Sequence, residues 1–148
     1  MKQFESVNEI LDYAIANEQD AVDFYTGYAD VVKGELKNVF LEFAQEEIKH
    51  KARLIKIKEE RIFSFSQENI QGLSISDYTT NYSLDMSYQD ALILAMAKEK
   101  AAFKLYIYLS EKTDIPLLKV FFLSLAQEES KHKLRFEIEY DEYILKEN

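Results

Sequence analysis

The chain contains two histidines, His50 and His132, and each stands three residues after a glutamate, Glu47 and Glu129. On a helix, residues three apart share one face about a turn from each other, so each Glu-x-x-His can offer a carboxylate oxygen and an imidazole nitrogen to one cation. There are no cysteines, which removes disulfides, thiolate zinc sites, iron–sulfur sites and cysteine nucleophiles. Any metal must therefore be held by oxygen and imidazole nitrogen. That donor set suits iron or manganese better than a soft ion, without separating the two.

The two motifs are copies. FLEFAQEEIKHKARL at Phe40–Leu54 aligns without a gap on FLSLAQEESKHKLRF at Phe122–Phe136, an offset of 82. The preceding segments align at an offset of 81, placing Glu18 on Glu99, Ala21 on Ala102 and Tyr25 on Tyr106, so a whole helical hairpin recurs. Seven-residue intervals then place the candidate ligands in the core. Leu11, Glu18, Tyr25 and Val32 form one such series; Phe40, Glu47 and Leu54 a second; Leu36, Phe43, His50 and Ile57 a third. The second half repeats them with Leu92, Glu99 and Tyr106, with Phe122, Glu129, Phe136 and Tyr143, and with Leu118, Leu125 and His132. A lone buried carboxylate costs several kcal/mol and protonates or finds a partner. Four buried Glu with two His call for a shared cation, the alternative being buried polar clusters that only fix register.

Depth agrees with convergence. Glu18 lies 16 residues before Gly34 and Glu47 lies 13 after it, about 24 and 20 Å of helix. Glu99 precedes Asp114 by 15 residues and Glu129 follows it by 15. One Glu from each of two helices plus Glu-x-x-His from each of two others is a known dinuclear carboxylate constellation. The simplest assignment gives Glu18 and His50 to one ion and Glu99 and His132 to the other. Glu47 and Glu129 then bridge ions about 3.5–4 Å apart.

The elements that must position these residues are helices. Ser6 with Glu9 forms a capping box, and apolar periodicity runs to about Val32 before Gly34. A second helix follows from Glu35 to about Arg61, too close to the first to lie other than antiparallel. From Ile62 to Met86 the period is lost amid Ser, Thr, Asn and Asp, marking irregular chain. Ser87 with Asp90 caps a third helix, Tyr88 to about Glu111, and Asp114 with Pro116 opens a fourth, reaching about Lys146. The expected fold is all-α: one domain over 1–148, a four-helix bundle of two antiparallel hairpins (6–61 and 87–146) joined by a long crossover (62–86). A connection of that length is needed only if the helices it joins run parallel.

Composition bounds the partners. With 27 acidic against 18 basic residues and a formal charge of -9, the surface repels phosphate backbones and anionic lipid, so neither nucleic acid nor membrane is expected. The N-terminal MKQFESVNEI has no apolar h-region and no run approaches the roughly 18 apolar residues of a membrane span. A cytoplasmic location is the expectation.

Through NEQDAVDFY, EEIKH, KEKAAFKLY and EESKH, spread over both hairpins, the sequence resembles the rubrerythrin family of the ferritin-like superfamily. The resemblance implies a ferritin-like bundle holding two iron ions per chain, with manganese as the other candidate, at Glu18, Glu47, His50, Glu99, Glu129 and His132. It also implies reduction of hydrogen peroxide, with dioxygen as the other small substrate. Rubredoxin-bearing members carry four further Cys that are missing here, so electrons would come from a separate donor protein. Members also tend to carry an extra Glu one turn after the third helix's ligand, where this chain has Ala102, so an exchange of His for that carboxylate does not carry over. A homodimer is the expected assembly. Alternatives from other classes are ferritin-like oxidation and storage of Fe(II), and a non-enzymic helical module with structural metals.

Flanking residues have two readings each. Glu46 and Glu128, just before ligand glutamates, read first as solvated flank and second as carboxylates orienting the opposite His. Tyr25 and Tyr106 read equally as core packing and as hydroxyls bonded to a ligand carboxylate. Ala14, Ala21, Ala95 and Ala102 serve helix propensity or leave room for metals and a small substrate. Lys49 and Lys131 read as exposed.

Overall fold

Ser6 starts the first helix as its spacing predicts, its hydroxyl accepting the Glu9 N–H at 3.2 Å. In the computed structural model, which describes residues 2–4, 6–32, 34–60, 74–75 and 87–147, α1 spans Val7–Ala29 and α2 spans Glu35–Glu60. α1 ends earlier than its apolar period suggests. The Tyr28 carbonyl accepts from both Val31 and Val32 N–H groups, at 3.0 and 3.1 Å, and this tight turn closes the helix while Val32 stays buried. Gly34 then adopts φ +69, the left-handed conformation that lets α2 begin at the next residue.

α3 spans Tyr88–Lys112, capped by Ser87, whose hydroxyl accepts the Asp90 N–H at 3.1 Å. α4 spans Pro116–Glu147, with Pro at the first position where its missing N–H leaves nothing unsatisfied. The side-chain acceptor at this corner is Thr113, which takes the Ile115 N–H at 3.3 Å, where the sequence suggested Asp114.

Each hairpin packs most closely within itself, α1 on α2 and α3 on α4. Lys58 near the end of α2 pairs with Asp12 near the start of α1. At the opposite end the Tyr28 hydroxyl donates to the Ser87 carbonyl at 3.4 Å, so α3 begins beside the end of α1. α2 and α3 therefore run parallel, and the chain between them must travel the length of the bundle. Most of the crossover expected at 62–86 lies outside the described residues. Within it, Ser74–Ile75 (β2) pairs antiparallel with Lys2–Gln3 (β1), Lys2 facing Ile75 and Gln3 facing Ser74. Two residues are too few to leave an alternating pattern in a sequence.

The core is divided by the polar side chains at its middle. Toward the Pro116 end it is largely aliphatic, with Ile10, Leu11, Leu54, Leu109 and Leu125 beside Tyr106 and Phe122. Toward the Gly34 end it is aromatic, built on Phe24, Tyr25, Tyr28, Phe40, Phe43 and Phe136. Every position of the seven-residue series is buried except Tyr143, which is half-buried against Tyr88 with ring centroids 5.0 Å apart.

A Cβ built at Gly34 meets nothing within 4 Å, so only backbone conformation penalises a side chain there. Gly34→Ala is expected to lower stability by about 1–2 kcal/mol and Gly34→Asn by less, since Asn tolerates this region. Urea unfolding midpoints check the order; equal losses for the two variants would contradict it.

Candidate metal centre

Six ionisable side chains meet between the two halves of the core. Glu18 from α1, Glu47 and His50 from α2, Glu99 from α3, and Glu129 and His132 from α4 are each at most 3% exposed. Their ligand atoms form two groups, Glu18, Glu47, His50 and Glu129 in one, and Glu47, Glu99, Glu129 and His132 in the other, each within 4.8 Å. Glu47 and Glu129 belong to both. His50 Nδ1 lies 2.9 Å from Glu129 and 3.6 Å from Glu18; His132 Nδ1 lies 3.2 Å from Glu47 and 3.5 Å from Glu99.

These atoms are close without being hydrogen-bonded. One oxygen of each glutamate and Nδ1 of each histidine are buried with no hydrogen-bond partner, which is rare for buried polar atoms and demands a cause. Six orphaned donor atoms, one per residue and all facing inward, fit cations in carboxylate and imidazole coordination.

The outward atoms are held from the opposite hairpin. His50 Nε2 bonds Glu128, and His132 Nε2 bonds Glu46. A proton donated from Nε2 leaves Nδ1, on the inward side among the carboxylates, as the ring atom available to a metal. Glu46 and Glu128 are also 41% and 46% exposed, so solvated flank and orienting carboxylate are both true of them, and the orienting reading is the more informative. The Tyr25 hydroxyl donates to Glu99 and the Tyr106 hydroxyl to Glu18. Both tyrosines are core residues and hydrogen-bond partners at once.

Charge is the organising problem. Burial, then repulsion from Glu18, pushes Glu47 well above the ordinary carboxylate range; burial, then Glu99, does the same to Glu129. Burial also opposes ionisation of Glu99, but the close approach of Glu129 and His132, with the Tyr25 hydroxyl, outweighs it and holds that carboxyl below its usual value. Burial works against charge on His132, yet Glu47 and Glu99 raise it to about 11. His50 is raised likewise, with Glu18 foremost against burial. Burial, reinforced by the carboxylates, lifts Tyr25 and Tyr106 well above 10.0, so both keep their protons and donate them. Without metal, protons take the place of cations.

Toward α1 and α3 a cavity of about 30 Å³ reaches all four glutamates, room for one or two waters. Ala21 and Ala102 line it, whereas Ala14 and Ala95 are sealed in the apolar core. So the alanines divide between the two roles. Lys98 and Asp20, which the sequence reading passed over, pair beside this cavity. Their signal was a break in the repeat, since the corresponding residues are Asn17 and Ala101. Lys49 and Lys131 are exposed as expected. Among the described residues no helix is long and apolar enough to cross a membrane.

Two antiparallel hairpins with paired carboxylate–histidine sets at mid-bundle define the ferritin-like class of four-helix bundles. The solved structure of a Thermotoga maritima protein described as ferritin-like and diiron-carboxylate superposes with a TM-score of 0.83 over 97% of this chain and 99% of that one, at 20% identity. Within that class the chain belongs to the rubrerythrin family, whose model matches residues 9–79 and 90–148. No curated protein matches significantly by sequence.

Two outcomes follow from this arrangement. Glu47, Glu129, His50 and His132 all bind protons more tightly in the metal-free fold than in the unfolded chain. Their stabilisation is complete below the unfolded values and is lost as pH rises through the folded ones. The opposite contribution of Glu99, whose carboxyl is held below its usual value, is fully present above the ordinary carboxylate range and is lost only on acidification, so it stays constant as pH rises beyond that range. Melting curves should show the gap between metal-free and Zn(II)-loaded protein widening from about pH 5 to about pH 9; a constant or narrowing gap would contradict this account. Glu46→Ala and Glu128→Ala should each weaken metal binding by about 10–100-fold in competition with a chromogenic chelator, with Lys49→Ala unchanged.

Proposed function

We propose that Glu18, Glu47, His50, Glu99, Glu129 and His132 hold two iron ions and that the centre reduces hydrogen peroxide with electrons from a separate donor. The observation that carries this reading is the pair of ligand groups sharing Glu47 and Glu129. Glu18 with His50 would serve one ion, Glu99 with His132 the other, and the shared pair would bridge them. When bound, two redox-active ions supply an electron pair at one place, so that an O–O bond can be cleaved without releasing a radical.

The protein's share is geometry, protons and access. Tyr106 and Tyr25 each hold one oxygen of Glu18 and Glu99, leaving the other oxygen to face the centre. Glu128 and Glu46 fix the imidazole planes, and Phe43 stacks on His132 at 3.8 Å, restricting that ring further. Two protons must reach the peroxide oxygens along with the electron pair for both to leave as water, and the cavity on the glutamate side, with room for one or two waters, offers a path for them. The small cavity on the glutamate side matches a substrate of two heavy atoms.

The test is stopped-flow oxidation of the diferrous protein. Hydrogen peroxide should oxidise it at least about tenfold faster than dioxygen, which must first gain the two electrons that peroxide already carries. Glu99→Ala should lower the peroxide rate by about 100-fold or more, because one ion loses its terminal carboxylate. Faster oxidation by dioxygen with release of ferric iron would replace this reading with a ferroxidase.

A further inference from the structure

The mouth of the glutamate cavity is lopsided although the ligands around it are paired by the repeat. Asn17 corresponds to Lys98 and Asp20 to Ala101, and all four residues line the cavity. On one side the Lys98 ammonium reaches from α3 to Asp20 on α1, with Nζ 5.2 Å from the centre of the Phe24 ring. On the other side stand Asn17 and Ala101, which carry no charge. Lys98 is only 8% exposed, and a lysine so far buried occurs only where it is paired. Desolvating that pair opposes folding, and the ligand set does not require it, because the other half of the repeat manages without one.

The geometry points to Lys98–Asp20 as a bar across the mouth that fixes the size of molecule able to reach the glutamates. Species of two or three heavy atoms pass on the Asn17–Ala101 side, and branched or aromatic ones are kept out. Hydrogen peroxide falls within this limit, and an organic hydroperoxide with a bulky carbon substituent falls outside it. An ion pair tying α3 to α1 resists widening of the gap, since separation would break a charge-assisted contact at a nearly buried ammonium. This inference rests on the reading of the six residues as a metal centre.

The test uses the full chain loaded with Co(II), whose visible absorption reports added ligands, and two anionic probes, azide and benzoate. The parent should bind azide readily and benzoate slowly. Lys98→Ala and Asp20→Ala should each speed benzoate by about tenfold or more while azide changes by less than about threefold. Lys98→Arg, which preserves the pair, should keep the parent's selectivity. The two alanine variants change the local charge in opposite directions, so an electrostatic effect would move the anion rates oppositely, whereas removal of a bar moves them together. Opposite changes, or an unaltered ratio of benzoate to azide rates, would overturn the proposal. Placing the same pair on the open side, by Asn17→Lys with Ala101→Asp, should slow both anions, and this variant carries the test if an alanine variant loses its helical circular dichroism. A parent chain that takes up no Co(II) would overturn the metal-centre reading, and the bar with it. Uptake of Co(II) without size dependence would overturn the bar alone.

Discussion

Four carboxylates held at most 2% exposed inside an apolar bundle are the constraint that the rest of the molecule answers to. Ionised together in a medium of low dielectric they would repel strongly, and neither hairpin could hold its pair without compensation. Compensation comes from protons on Glu47, Glu129 and the two imidazoles when metal is absent, and on the proposed reading from two cations when it is present. Metal uptake and proton release are then one equilibrium, set by the same six residues.

The support of these residues crosses between the hairpins. Within a hairpin, α1 on α2 or α3 on α4, contacts are mainly apolar and close the helix pair. The hydrogen bonds that hold the ligand residues run the other way: His50 to Glu128, His132 to Glu46, Tyr25 to Glu99 and Tyr106 to Glu18. Each repeat thus orients the ligands of its copy and leaves its own to be oriented in return. A single hairpin would carry a Glu-x-x-His with nothing to fix the ring, so the duplicated unit gains its site only by pairing, and register between the halves is set where hydrophobic seams alone would tolerate a shift.

Much of this was legible because several levels of the sequence agree. Ser6 and Ser87 mark helix starts by their own chemistry, and the seven-residue series containing Glu18, Glu47, Glu99 and Glu129 distinguishes a buried glutamate from the exposed ones around it. Where tertiary geometry decides, periodicity fails. Val32 keeps the apolar phase of α1 after the Tyr28 carbonyl has already closed the helix. Glu46 and Glu128 sit on a half-exposed flank, and helical phase reports the face of a residue but not its partner on another helix. Lys98 lies in a charge-rich segment whose ordinary reading is solvent, and only its departure from Asn17 across the repeat sets it apart.

That departure bears on how this fold acquires specificity. A bundle with a TM-score of 0.83 to this one persists at 20% identity, so the helices and their crossing are insensitive to most of the side chains they carry, and fold alone does not select a reaction. The inward-facing ligand atoms cannot vary freely, since each buried carboxylate depends on the others for neutralisation. Residues at the cavity mouth are under no such constraint: Asn17, Asp20, Lys98 and Ala101 touch the opening from the side and can change without leaving a charge stranded at the centre. Variation in what reaches the centre is therefore freest where the two halves of the repeat differ, and least free at the six residues where they coincide.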